Sequence, residues 1–182
     1  MSDVDLRTTL AGVAFPNPVF TASGCAAAGQ ELHQFFDVSL LGGVVTKSIM
    51  LAARSGRATP RMAETPSGMV NSIGLQGPGI DAFLDRDLPW LADHGARAVV
   101  SIAGGSVEEY TLLAQRLRGR PLAMVEVNIS CPNVEDRGQV FACDPAAAAA
   151  VVEAVRVCTP DEVLRRTAST TADAARGSQA NT

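Results

Sequence analysis

The sequence predicts an α/β protein with a parallel sheet and helices packed outside it. Apolar runs of strand length alternate along the chain with segments of helical pattern, and glycines, prolines and polar residues separate the two. Four strand-helix units in series favour a parallel sheet, either closed as a barrel or left open. The periodicity of the sequence does not by itself choose between these two forms.

The first part of the chain predicts a hairpin followed by one β-α-β step. Residues 6–10 and 13–15 are apolar segments separated by Ala11-Gly12, which is a turn pattern. The next predicted elements are a strand, a helix and a second strand, over residues 19–22, 29–36 and 43–46. Residues 48–78 are rich in Pro, Gly and Arg and are too long for a plain connection, so we interpret them as a functional loop.

The second part of the chain predicts the remaining strand-helix units. A helix is predicted over residues 80–93, a strand over residues 98–103 and a helix from Ser106. A strand follows over residues 122–127, and an Ala-rich helix runs from Asp144 to about Arg156. Ser106 followed by Glu109 is the capping-box pattern of a helix start. Asp144-Pro145 is a helix cap followed by proline at the first helical position.

Composition excludes several classes of protein. The chain has 182 residues, of which 47% are hydrophobic and 19% charged, as in globular proteins rather than disordered ones. A net charge of -4 and a pI near 5.1 argue against nucleic acid or an anionic membrane as a partner. The first residues lack a basic leader and no segment is long and apolar enough to span a bilayer, so we expect a cytoplasmic protein.

The cysteines do not indicate a metal site. The four cysteines form no C-x-x-C pair, and only two histidines could join them at a metal. We therefore expect no metal and reduced thiols.

The hexapeptide Asn128-Ile129-Ser130-Cys131-Pro132-Asn133 is the strongest candidate for a reactive site. It places a thiol between two amides where the strand over residues 122–127 ends, and in parallel α/β proteins that end of the strands collects catalytic groups. A thiolate is an effective base or nucleophile. The alternative is a buried structural cysteine beside a Pro-Asn turn.

A second candidate is Lys47, the sole lysine of the chain, at the end of the second predicted strand. A surface lysine that serves only solubility would rarely be the sole lysine of a chain. The alternative is a surface lysine whose stem lies along the protein.

Several short segments together resemble the dihydroorotate dehydrogenase family, in order and with natural spacing from about Leu6 to Arg156. The segments are Asn17-Pro18-Val19, Ala22-Ser23-Gly24, Val45-Thr46-Lys47-Ser48, Pro60-Arg61, Gly68-Met69-Val70-Asn71-Ser72-Ile73-Gly74-Leu75-Gln76, Pro89-Trp90 and Asn128-Ile129-Ser130-Cys131-Pro132-Asn133-Val134. The resemblance implies a β/α (TIM) barrel of the FMN-dependent dehydrogenase type that oxidises dihydroorotate to orotate in pyrimidine biosynthesis. It chooses the barrel over the open sheet.

The resemblance also implies roles for individual residues. Cys131 is the base that removes a proton from C5 of the substrate while hydride leaves C6 for FMN. The residues implied to contact FMN are Ser23, Lys47, Ser48 and Asn128. The residues implied to bind dihydroorotate or orotate are Lys47, Asn71, Ser72, Ile73, Gly74, Leu75, Asn128 and Asn133. Ser101 stands where many relatives have Asn and reaches less far, so we leave it out of the predicted site.

The resemblance implies partners as well. A cysteine base is typical of the soluble class 1 enzymes, and Ile73-Gly74-Leu75-Gln76 looks closest to the NAD-linked subclass. That subclass passes electrons to a partner subunit carrying FAD and an iron-sulfur cluster. We also expect a homo-oligomer in the full-length form.

The resemblance ends after the fourth helix. We expect residues 1–156 to be the N-terminal half of a barrel, truncated after the fourth β/α unit, and residues 157–182 to be a tail outside the family, through truncation or a frame shift. A short helix is predicted from Pro160, followed by disorder over the last residues. The loops that hold a phosphate in such barrels come later in the fold.

Two other functions stay open on the sequence alone. One is a dihydropyrimidine dehydrogenase-type reductase, which shares the Asn-x-Ser-Cys-Pro core but typically has His at the position of Asn133 and adds iron-sulfur cysteine clusters. The other is an inactive fragment that binds no flavin.

Overall fold

The computed structural model describes residues 4–130 and 141–158. The strands are β1 (Thr8–Leu10), β2 (Val13–Phe15), β3 (Val44–Val45), β4 (Met62–Thr65), β5 (Gly68–Asn71), β6 (Ala98–Ile102) and β7 (Met124–Val127). The helices are α1 (Gln30–His33), α2 (Ile80–Ala82), α3 (Leu88–Asp93), α4 (Val107–Leu117) and α5 (Pro145–Cys158). The predicted helix from Pro160 and the predicted disorder beyond it lie outside the described residues.

The central sheet is parallel and its strands follow the order of the chain. β6 pairs with β3 on one side and with β7 on the other, and Phe20 continues the sheet beyond β3 through a parallel bridge to Gly43. A doubly wound sheet reverses its strand order, whereas a β/α barrel keeps it sequential. The three described strands and the bridge at Phe20 run in sequential order, as neighbouring strands of a β/α barrel do.

The two faces of the sheet carry different layers. Val100, Ile102 and Val125 belong to the main core, which contains the apolar sides of the helices. The helical residues of this core that are at most 1% exposed include Ile80, Phe83, Leu88, Leu91, Tyr110, Leu113, Leu117, Val151 and Val155. Val99 and Met124 point to the opposite face, where Phe15 of the β1–β2 hairpin packs against them. The helices thus cover one face, and the hairpin closes one end of the other.

β3 is followed by a bulge that positions the site. Val45 pairs with Val99 and Ile49 pairs with Ile102, so four residue steps on one strand match three on the other. The extra residue shifts the alternation of side chains, as a bulge does near many active sites. The side chain of Ser48 consequently reaches the face of the sheet that carries Val99.

The hydroxyl of Thr46 supplies a hydrogen bond where the bulge interrupts the backbone pairing of the sheet. Its Oγ1 accepts a hydrogen bond from the backbone N–H of Ser101 at 3.1 Å, and both residues are fully buried. We predict that Thr46→Val, which keeps the shape but removes the acceptor, lowers the free energy of unfolding by about 1–3 kcal/mol, because a buried N–H loses its partner.

Urea denaturation would measure this change. The matched control is Thr111→Val, because the Thr111 hydroxyl donates to the Val107 carbonyl within the same helix, α4. We expect the control to cost less than about 0.5 kcal/mol. Equal costs for the two variants would show that the Thr46 hydroxyl has no special role.

Helix starts were predictable from their caps. Ser106 Oγ accepts from the backbone N–H of Glu109 at 3.3 Å, which confirms the predicted start of α4. Asp144 Oδ1 accepts from the N–H of Ala146 at 2.8 Å at the start of α5. The helix over residues 80–93 is present but contains a π-helical turn over Phe83–Asp87. Pro89 lies just after this turn, and a proline ring clashes with the carbonyl four residues earlier in a regular α-helix.

Two predictions about the first half were wrong in detail, and the long loop holds a hairpin that was not predicted. The predicted strand over residues 19–22 is a single bridge, because the Thr21 hydroxyl takes over the pairing by accepting from Val45 N at 2.8 Å and donating to Val45 O at 3.0 Å. The helix predicted over residues 29–36 is reduced to α1. The long loop contains the antiparallel β4–β5 hairpin, whose eight residues are all exposed.

Candidate functional site

Three serine hydroxyls meet at the carboxyl end of the sheet. Ser48 Oγ lies 2.9 Å from Ser101 Oγ, and Ser23 Oγ lies 3.3 Å from each of them. We call Ser23, Ser48 and Ser101 the hydroxyl cluster. Ser48 and Ser101 are buried and Ser23 is partly buried. The cluster therefore joins three neighbouring strand positions of the sheet.

Asn128 extends the cluster to the end of β7. Its Nδ2 donates to Ser48 Oγ at 3.0 Å, and its Oδ1 accepts from the backbone N–H of Ser130 at 3.2 Å. Its backbone is held as well, because its N–H donates to Ile102 O and its carbonyl accepts from the Tyr110 hydroxyl at 2.6 Å. These bonds leave the amide one orientation.

Lys47 lies beside the cluster, over the turn that contains Ser23. A Cβ placed on Gly24 would lie 3.5 Å from Lys47 Nζ and 3.8 Å from its Cδ. Gly24 has φ +86°, a conformation that favours glycine, and its lack of a side chain leaves the lysine room. The backbone N–H of Lys47 donates to Ala27 O at 2.8 Å. Lys47 is partly buried at this edge of the sheet.

Lys47 also faces a cavity of about 530 Å³. The lining includes Gly24, Ile73 and the ion pair between Arg86 and Asp87. Asp87 is 5% exposed and accepts from Arg86 Nε at 2.7 Å, a bond that raises the pKa of the Arg86 guanidinium. Cationic and polar groups thus line a space large enough for a small organic ligand.

The predicted substrate segment from Asn71 to Leu75 is only partly brought to this cavity. Ile73 lines it, and Leu75 is buried with φ +52°. Gly74 has φ +78°, and a Cβ there would lie 2.9 Å from Arg57 N. Asn71 and Ser72 are exposed, and within residues 4–130 and 141–158 no hydrogen bond connects either side chain to the hydroxyl cluster.

Cys131 and Asn133 lie outside the described residues. The described chain does bring Ser130, the residue before Cys131, to the same edge through its bond to Asn128. On the other side of the gap, the backbone N–H of Ala142 donates to Ile129 O at 3.1 Å. Both flanks of the segment are therefore attached at the end of β7.

Ser101 is the residue that sequence reasoning omitted. Its place in the cluster could have been inferred from strand alternation, because Ser101 is two residues after Val99 and shares its face. We left Ser101 out of the predicted site because its side chain is shorter than the asparagine that the family resemblance implies at this position. The bulge after β3 brings Ser48 close enough for the shorter side chain to reach.

Two absences hold for the part of the chain that the structure describes. No three His, Cys, Asp or Glu side chains are grouped as metal ligands would be. None of the helices there combines the length and the apolar character needed to cross a membrane.

The fold and the site define a class of protein: an α/β protein whose sequentially ordered parallel sheet carries an ammonium, hydroxyls and an amide at its carboxyl edge. The chain belongs to the dihydroorotate dehydrogenase family, whose model matches residues 5–176. This match continues past Arg156, and the boundary that we predicted there stays a prediction. This is the family that the sequence motifs resemble.

Similar proteins include several catalytic subunits named dihydroorotate dehydrogenase B (NAD(+)). The chain is 45% identical over 152 residues to that of Anoxybacillus flavithermus, covering 83% of this chain and 49% of the relative. It is 44% identical over 165 residues to that of Geobacter sulfurreducens (90% and 54%) and 42% identical over 177 residues to that of Geotalea daltonii (97% and 58%). The chain thus spans about half the length of the curated relatives it matches.

A solved structure shares the fold. The crystal structure of a dihydroorotate dehydrogenase from Eimeria tenella in complex with ferulenol matches with a TM-score of 0.70 at 18% identity, over 86% of this chain and 44% of that one. The described part of this chain therefore shares its α/β fold with that dihydroorotate dehydrogenase.

Proposed function

We propose that this chain supplies the first four strand-helix units of a β/α barrel that oxidises dihydroorotate to orotate with FMN. The observation that carries the proposal is the joining of Ser23, Ser48 and Asn128 in one hydrogen-bonded group, with Lys47 beside it. These four are the residues that the family resemblance assigns to FMN. Lys47 and Ser48 are neighbours after β3, whereas Ser23 and Asn128 come from two other segments of the chain, so the convergence of the three segments is a property of the fold.

The chemistry of these groups fits a flavin ring. The ring presents carbonyl oxygens and ring nitrogens along its edges, and the site offers a hydroxyl, an ammonium and an oriented amide. FMN supplies the hydride acceptor when it is bound. Lys47 balances negative charge on the substrate carboxylate or on the reduced ring. Asn128, fixed by Ser48 and Ser130, orients the ligand.

The proton chemistry is assigned to Cys131. As a thiolate it removes the proton from C5 of dihydroorotate, and the proton stays on the sulfur. Asn133 and the segment from Asn71 to Leu75 hold the substrate through its imide and carboxylate groups. The presence of Ile73 in the lining of the cavity beside Lys47 supports this assignment.

The partners follow from the subclass. Relatives are named as NAD(+)-type catalytic subunits, and we propose that electrons pass from FMN to a partner subunit with FAD and an iron-sulfur cluster. We further propose a homo-oligomer in the full-length form, located in the cytoplasm.

FMN binding tests the proposed function. The chain, mixed with excess FMN and desalted, should retain visible flavin absorbance and quench flavin fluorescence in a saturable way. A fluorescence titration gives the Kd, and the same titration on urea-unfolded chain is the control. Loss of all flavin on desalting, together with no saturable quenching, would favour the inactive fragment.

A further inference from the structure

We propose that Ser101 is a positioning residue that makes Ser48 a hydrogen-bond donor toward the bound ligand. The proposal rests on the proposed function, because the ligand is taken to be FMN. It concerns a residue that the predicted site left out.

The direction of the Ser101 hydroxyl hydrogen follows from the neighbours of this side chain. Ser23 Oγ donates to Ser101 Oγ at 3.3 Å. Ser101 is 0% exposed, so its own hydrogen has no water to reach. Among residues 4–130 and 141–158, the acceptor that remains for it is Ser48 Oγ at 2.9 Å. A buried hydroxyl without an acceptor is costly, so Ser101 donates to Ser48.

The Ser48 hydroxyl oxygen accepts two hydrogen bonds. A serine oxygen has two lone pairs and one hydrogen. Asn128 Nδ2 donates to Ser48 Oγ at 3.0 Å, and Ser101 donates to it as well. Both lone pairs are then occupied. The hydrogen of Ser48 either returns to Ser23 at 3.3 Å, which closes a ring of three hydroxyls, or turns to a ligand.

A bound ligand therefore meets Ser48 as a hydrogen-bond donor. Ser48 offers a hydrogen and no lone pair, so it selects an acceptor atom such as a carbonyl oxygen or an unprotonated ring nitrogen. The 3.3 Å contact to Ser23 is the longer of its hydroxyl contacts, and therefore the one that a ligand acceptor replaces most readily. Ser101 does not contact the ligand. It acts on the ligand by donating a hydrogen bond to one lone pair of the Ser48 oxygen.

A double-mutant cycle tests this coupling. Ser101→Ala frees a lone pair on Ser48 and should raise the Kd for FMN about 3- to 10-fold, the effect of one neutral hydrogen bond. Ser48→Ala should weaken FMN binding by at least as much. If Ser101 acts through Ser48, the double variant should bind FMN like Ser48→Ala alone. Multiplied effects of the two single variants would overturn the proposal.

Controls separate positioning from general stability. Thr111→Val removes a hydroxyl on α4 outside the cluster and should leave the Kd within twofold. Thermal unfolding of each variant, followed by circular dichroism, shows whether the fold is kept. A change in Kd for Thr111→Val equal to that for Ser101→Ala would count against a specific role.

A second readout needs no flavin. The side-chain amide signals of Asn128, identified by their loss in Asn128→Asp, report on the bond to Ser48. Ser101→Ala should shift these signals and speed their exchange with water, because Ser48 is released to rotate. Unchanged signals would refute the proposal. If the wild-type chain binds no FMN, the proposed function fails, and this spectrum still decides whether Ser101 positions Ser48.

Discussion

Replacing Cys131 by alanine should lower the rate of dihydroorotate oxidation by a factor of about 10² to 10⁴, the usual contribution of a general base, while FMN stays bound. The substrate loses a proton from C5 as hydride leaves C6, and alanine offers nothing to accept that proton. Cys131→Ser should also be strongly impaired at neutral pH, since a hydroxyl is a far weaker base than a thiolate. Anaerobic mixing with dihydroorotate, followed by bleaching of the flavin absorbance, measures the step directly.

The other thiols provide matched controls for Cys131. Cys143 is exposed and Cys158 is partly buried, and neither belongs to the hydroxyl cluster. Cys143→Ala and Cys158→Ala should keep the rate within about twofold. Activity of Cys131→Ala within twofold of wild type would remove Cys131 from its role.

The pH profile gives an independent check on the same base. Only the thiolate accepts the proton, so the rate should climb as pH rises toward the ordinary thiol pKa of about 8.5 and then level off. A flat profile from acidic to alkaline pH would point to a base other than a thiol.

The elements predicted from the sequence were those whose signals are local. The β1–β2 hairpin, β6, β7 and the starts of α4 and α5 each follow from alternation or a capping side chain within a few residues. The β4–β5 hairpin was missed because all of its residues are exposed, so neither of its faces carries the apolar alternation that marks a strand.

The features that the sequence did not predict depend on pairing between distant segments. The bulge after β3 is visible only when Ile49 is set against Ile102, and the hydroxyl of Thr21 replaces strand pairing only because Val45 lies opposite it. No local pattern specifies either contact. The same reason explains the omission of Ser101, whose partner Ser48 reaches it through the bulge.

The candidate site was predictable to the extent that the chain resembles a known family. Ser23, Lys47, Ser48 and Asn128 do come together at one edge of the sheet. Their order along successive strands made this plausible, because the carboxyl ends of parallel strands share an edge. The roles of Cys131, Asn71 and Asn133 stay predictions.

Lys47→Met should weaken FMN binding by about 10- to 150-fold, corresponding to about 1.5–3 kcal/mol for a hydrogen bond from a charged group. Methionine keeps the length and the apolar stem but removes the ammonium that lies beside Gly24. Because the negative charge on the ring grows on reduction, the loss should be larger for reduced FMN than for oxidised FMN. Titrations of both redox forms measure the difference.

Lys47 is the sole lysine, so amine-directed chemistry adds a test in the unaltered protein. Reductive methylation can modify only Lys47 and the α-amino group, and mass spectrometry separates the two sites. FMN should slow methylation of Lys47 and leave the α-amino group unaffected. The control for the variant is Arg118→Met, which removes the same charge from an exposed position after α4 and should leave the Kd within twofold. Equal losses in the two variants, with no protection of Lys47 by FMN, would mean that only the overall charge matters and that Lys47 does not touch the flavin.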